Sequence, residues 1–220
     1  MRRRLTSDLL GGNLSPSVAM LRLAKQFAIA LALGGLFAIP PAPAEAHLAK
    51  WGSWEITHRN LMKLFPEADP NGWKIKRYQY GDEEVKFLEK QLGFDLYPED
   101  KAPEFFLAHD AEGKFLGVAI FIDPRTKPKV LNGGILTLEV GIGVNTKGEI
   151  SRVRVYDYRG NLELTKDKFL DQLKGRTLDS NYEMGKGGLK PVEGEVEESQ
   201  LVANAGHEAL LLMKTALGRR

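Results

Sequence analysis

The stretch Asn145-Thr146-Lys147-Gly148 constrains this chain more than any other, because it separates two segments that alternate in polarity along their length. Ile135 to Val144 sets Ile135, Thr137 and Glu139 against Leu136, Leu138 and Val140, and Glu149 to Tyr158 is equally rich in β-branched residues. Period-two alternation on both sides of a short turn ending in glycine predicts an antiparallel hairpin. A second hairpin is predicted from Glu104–Leu107 and Lys114–Ile122, which flank the polar loop His109-Asp110-Ala111-Glu112-Gly113. Trp73 to Tyr80 alternates apolar and basic residues before Gly81, the pattern of a half-buried strand.

Helical spacing occupies the rest. Ile56, Leu61, Leu64 and Phe65 recur at mostly helical intervals until Pro66, which cannot continue a helix interior. Asp82-Glu83-Glu84 places carboxylates ahead of Val85, Leu88 and Leu92, with Gly93 just beyond, so acid at the front and glycine behind bracket a second helix. Lys166 to Leu173 predicts a short helix, and Gly175 to Pro191 a long glycine-rich loop. From Val196, the residues Leu201, Val202, Ala205, Ala209, Leu212, Met213 and Leu217 form the apolar stripe of a C-terminal helix, followed by Gly218-Arg219-Arg220. The expected fold is therefore α+β, an antiparallel sheet of hairpins with helices packed on it.

The first 46 residues read differently. Arg22 and Lys25 precede the uninterrupted apolar run Phe27 to Ile39, and Ala44-Glu45-Ala46 supplies a small-x-small cleavage signal. A spanning helix needs about 20 apolar residues and a signal-peptide core roughly 7–15. The run fits the shorter class, which predicts a signal peptide over 1–46, a mature terminus at His47 and a periplasmic or other extracytoplasmic location. Met20 would give a leader of more usual length than Met1, and the alternative to cleavage is an N-terminal segment kept as a membrane anchor. The expected organisation is a leader over 1–46, a helix and strand extension over 47–103, and a domain over 104–220.

Charge and composition exclude several functions. The chain has 31 basic and 29 acidic residues, and the leader holds five of the former (Arg2, Arg3, Arg4, Arg22, Lys25) and two of the latter (Asp8, Glu45). The near-neutral body argues against nucleic acid, whose binding rests on phosphate contacts from Lys and Arg. With no cysteine, disulfides, thiolate zinc sites and iron–sulfur clusters are excluded. His47, His58, His109 and His207 have no spacing that pairs two on one helix face, so no bound metal is expected. There is no GxSxG elbow, no phosphate-binding loop with its lysine, and no singled-out carboxylate pair, which removes the common hydrolase classes.

Four further elements occur together. They are Leu64-Phe65-Pro66-Glu67-Ala68-Asp69, the turn and strand Lys147-Gly148-Glu149-Ile150, the segment Phe169-Leu170-Asp171-Gln172-Leu173-Lys174-Gly175, and the Gly194-to-Val202 pattern G-x-x-x-x-S-x-x-V. In this order, over roughly 105–217 with the first lying upstream, the chain resembles the FMN-binding domain of the G subunit of Rnf-type electron-transport complexes and the C subunit of the sodium-translocating NADH:quinone reductase. The resemblance implies an electron-transfer or flavin-associated component, with membrane or periplasmic redox proteins as partners. It implies a cofactor site at Gly133, Gly134, Gly187, Gly188, Gly194, Glu198 and Ser199.

The family's motif, approximately S-G-A-T-x-T-S, carries FMN through a phosphoester on its last threonine in the covalent members. Laid on this chain, Glu193 stands at the first serine, Gly194 is kept, Glu195 replaces alanine, Val196 the first threonine, Glu198 the FMN-bearing threonine, and Ser199 keeps the final serine. A phosphoester needs a hydroxyl oxygen, so any FMN is expected to be non-covalent. Ser199 lies one residue on, which turns its side chain by about 100° around a helix. Glu193, Glu195, Glu197 and Glu198 also crowd a helix start that would otherwise attract phosphate, with Lys186 and Lys190 near enough to offset part of that charge. Gly133 and Gly134 equally suit a bulge or a sharp turn, and Gly185, Gly187 and Gly188 a simple connector. The rival reading is a domain that has lost flavin and serves as a protein-binding or assembly module.

Overall fold

Ser53 starts the first helix, α1 (Trp54–Leu64), its hydroxyl accepting from the amide of Ile56 at 3.4 Å. After a loop comes the short strand β1 (Lys74–Arg77), then α2 (Asp82–Leu92), β2 (Glu104–His109) and β3 (Phe115–Ile122). A small ribbon of β4 (Val130–Leu131) and β5 (Gly134–Ile135) leads to β6 (Glu139–Asn145) and β7 (Ile150–Tyr156). Two 3₁₀ turns, Leu162–Thr165 and Asp171–Leu173, flank the one-turn helix α3 (Asp167–Leu170), and α4 (Val196–Leu217) closes the chain. This computed structural model describes residues 53–124, 130–131, 134–135, 138–156, 158 and 160–218, with the backbone pairing alone described at 130, 131, 134 and 135. The predicted leader, His47, Gly133 and the terminal arginines lie outside the described residues.

The fold is α+β. Its five-stranded sheet is antiparallel throughout in the order β1-β2-β3-β6-β7. The β6–β7 hairpin forms about the predicted turn, but β6 begins at Glu139, and Ile135 pairs with Val130 in the separate ribbon. Asn145 Oδ1 accepts from the amides of Lys147 (2.9 Å) and Glu149 (3.1 Å), and Gly148 takes φ 77°, a left-handed conformation that glycine adopts without a Cβ penalty.

The strand expected over Trp73–Tyr80 is shorter, and burial falls on its flanks, where Trp73 and Tyr78 are half-buried and Tyr80 is buried. β1 covers Lys74–Arg77 alone, and all four residues are exposed. β1 is the sheet's edge, while α1 packs mainly on β6 and β7 and α4 on β3, β6 and β7. Conversely, β6 is buried along nearly all its length rather than alternating. Val140, Ile142 and Val144 face the core under α4. On the other face, Gly141 and Gly143 admit the α1 layer: a Cβ on Gly141 would lie 3.2 Å from Leu64 and 2.8 Å from the Tyr156 ring, and one on Gly143 3.1 Å from Phe65.

The sheet thus separates two apolar clusters. The larger holds Leu88, Phe105, Ile142, Ile150, Leu164, Leu173, Val202 and Leu212, and the smaller Leu61, Leu64, Phe65, Phe106 and Ala119. Each fully buried Leu or Phe contributes roughly 1.5–3 kcal/mol before entropy is charged. Tyr80 bridges α2 and α4 by donating to the Leu212 carbonyl at 2.6 Å, and Tyr156 fastens α1 by donating to the Asn60 carbonyl at 3.1 Å.

Candidate functional site

Between the 3₁₀ turn Asp171–Leu173 and α4 the chain has no helix or strand, as the glycine-rich composition predicts, yet side chains hold it at many points. Arg176 is the hub. Its guanidinium donates to the carbonyls of Gln172 (3.1 Å), Asn181 (2.5 Å) and Gly187 (2.7 Å) and lies 5.9 Å from the centre of the Tyr182 ring. Its own backbone continues the sheet edge, with Ile150 N donating to the Arg176 carbonyl at 2.9 Å. Gln172 clamps the far end, accepting from Lys190 N at 2.8 Å and donating to the Lys190 carbonyl at 3.1 Å.

The first turns of α4 grip the same loop from the other side. Ser199 is fully buried and its Oγ accepts from Val192 N at 3.0 Å. Gln200 accepts from Met184 N at 2.8 Å and donates to the Tyr182 carbonyl at 2.9 Å. Glu198 is 5% exposed, whereas Glu197 lies on the outer face. Tyr158 donates to Glu195 Oε2 at 3.3 Å, and burial, reinforced by Glu195 and Glu198, pushes its phenol up to about 12. His207, one face further along α4 and 5.2 Å from the Tyr182 ring, has its imidazole lowered by burial.

Of the residues the sequence singles out, Gly194, Glu198 and Ser199 come together at the start of α4, with Gly194 at φ 78° in the turn whose Glu195 amide donates to the Val192 carbonyl at 3.0 Å. Gly187 and Gly188, at φ 57° and 83°, form the tip of the clasped loop, and a Cβ on Gly187 would meet Asn181 at 3.1 Å. Gly134 pairs with Leu131 in the separate ribbon, and Gly133 is outside the described residues. Arg176, Gln172 and Gln200 escape sequence reading because most of their partners are backbone carbonyls and amides, which leave no residue-type signal.

Beside the α4 start lies a cleft of about 590 Å³, lined by Asn161, Glu163, Lys168, Phe169, Gln172 and the run Lys190–Glu193. That size is within the usual range of small-molecule sites, about 300–1,000 Å³. Phe169, Pro191 and Val192 give it apolar walls against which a flat ring can lie, and Lys168 and Lys190 give it cations. The helix end itself does not suit a phosphate: Glu197 and Glu198 occupy the first turn, and the one hydroxyl there, on Ser199, already accepts from Val192. At the start of α4, Glu198 offers no hydroxyl oxygen for a phosphoester, and the Ser199 hydroxyl is buried against Val192 N. Among the described residues no group of three or more His, Asp or Glu could hold a metal ion.

No protein-family model and no curated protein matches this chain. Among solved structures the chain is similar to NqrC of Shewanella oneidensis in its crystal structure, at 15% sequence identity, with 71% of this chain and 84% of that chain covered and a TM-score of 0.45.

Proposed function

We propose that this protein is an exported, flavin-associated electron-transfer component in which FMN is held without a covalent bond. The reading rests on the resemblance carried by Lys147–Ile150, Phe169–Gly175 and Gly194–Val202. One structural observation supports it above the others: the Gly194 turn of that motif opens directly beside a cleft with apolar walls and cationic rim, next to a buried Glu198 where covalent relatives need a hydroxyl. When bound, the flavin supplies the electron chemistry, and the protein supplies position and electrostatics.

In this reading Phe169 and Val192 flank the ring, Arg176 and Gln172 hold the wall that carries Val192, and the redox partners are proteins of the membrane or the extracytoplasmic space. Export is supported by the order of basic, apolar and small residues over 1–46. Among the described residues no helix is long and apolar enough to cross a membrane.

The test is the visible spectrum of the full-length protein after incubation with FMN and removal of free flavin, before and after acid precipitation. The expected result is yellow protein whose colour passes to the supernatant with acid. Colour kept in the pellet would overturn non-covalent binding. A colourless protein would overturn the flavin reading and leave the protein-binding module in its place.

A further inference from the structure

We propose that the phosphate of the flavin is seated by Lys168 and Lys190 at the rim of the cleft, displaced from the N-terminus of α4. This rests on the flavin reading above and assigns within it which charges recognise the anion.

The charge at the helix end disfavours an anion. Glu195 stands at the cap position and Glu197 and Glu198 in the first turn. Any phosphate there would meet like charge on several sides, with little water to screen it beside the buried Glu198.

The cleft's lining carries two lysines, Lys168 and Lys190, against two glutamates, Glu163 and Glu193. Glu163 is paired with Lys166 at 2.5 Å, and that hydrogen bond, aided by the Lys166 charge and to a smaller extent by that of Lys168, lowers its carboxyl below the usual range. Lys168 and Lys190 form no ion pair among the described residues, whereas the neighbouring Lys186 and Lys174 are taken by Glu183 (2.7 Å) and Asp171 (3.2 Å). Glu193 is the remaining acid on the rim.

The backbone segments that carry the two lysines are held together. Lys190 is held through its backbone by both ends of the Gln172 amide, and Gln172 and Lys168 lie on the adjoining turns of one short helical segment. Phe169, between them in sequence and 4% exposed, anchors that segment in the core. The cations therefore belong to a braced rim with an apolar floor, the arrangement that recognises a phosphorylated planar ring.

Flavin fluorescence titrations of the full-length protein at low salt separate the cases. FMN and riboflavin differ by the phosphate alone, so FMN is expected to bind about tenfold or more tightly, the scale of one or two charge-assisted contacts. In Lys168→Gln/Lys190→Gln the FMN affinity should fall to that of riboflavin while riboflavin is unchanged, and Glu193→Gln should tighten FMN. Inorganic phosphate should compete with FMN and leave riboflavin alone. Both lysine side chains are exposed, so an unchanged melting temperature will confirm that the double variant folds. Equal binding of the two flavins, or an FMN preference that survives the double substitution, overturns this assignment and leaves the flavin reading standing. Failure of both flavins to bind overturns the two together.

Discussion

Ser199 shows how one side chain can be kept while its role differs. Its position matches the last serine of the flavin motif, but its hydroxyl is fully buried and receives the Val192 amide. Removing it leaves that amide without its acceptor inside the protein. Ser199→Ala is expected to lower stability by about 1–2 kcal/mol, the cost of a lost buried hydrogen bond, read as a shift in the urea midpoint at constant slope. No change would mean that Val192 N finds water instead and that the wall is looser than the geometry describes. Glu198 could be read from the sequence as a non-acceptor because that follows from residue chemistry alone. Its burial could not, since burial depends on how the loop folds back across α4.

At the level of elements, legibility follows the range of the forces involved. The ends of α2 are readable because capping is local: Glu84 reaches back to the Gly81 amide at 2.9 Å, and Gly93 closes the helix by donating to the Glu89 carbonyl at 2.8 Å. The hairpin turn is readable for the same reason. The exposure of β1 is not, because Lys74–Arg77 alternates like a covered strand and only the placement of α1 and α4 over the other end of the sheet decides otherwise. The pairing of Gly141 and Gly143 with the Leu64–Phe65 layer is equally non-local. The loop after α3 is the extreme case, since Arg176 reaches three carbonyls at unrelated spacings. Arg176→Lys keeps the charge and loses the planar fork. Amide exchange over Asn181–Leu189 is expected to rise by about tenfold or more, while the sheet amides stay protected because the loop opens as a local unit. Exchange that is unchanged in the loop would show that Gln172 and Gln200 hold it without the guanidinium.

Across the molecule, four tyrosines tie the layers together, and their phenols make the packing measurable. Tyr80 sits between α2 and α4, Tyr156 under α1, and Tyr158 and Tyr182 near the start of α4, each no more than 9% exposed. Burial is the leading cause that raises all four above the ordinary phenol value of 10.0, Tyr158 to about 12 and the others higher. Below pH 10 both folded and unfolded chains keep these protons, so the stability they report is fully present. Above it the unfolded chain ionises first, and stability is lost as pH climbs toward the folded values. Each phenol contributes up to about 1.4 kcal/mol per pH unit in that window, so the four acting together give a limb of up to about 5 kcal/mol per unit. Urea midpoints between about pH 8 and 11 should therefore hold steady and then fall steeply from about pH 10. Tyr158→Phe should remove roughly a quarter of the slope, because the other three phenols lie in separate contacts on both faces of the sheet. A limb that is shallow in the wild type would mean that water reaches these phenols in the folded state. The two-sided packing of α1 and α4 on one sheet would then be wrong in the places where it carries the candidate site.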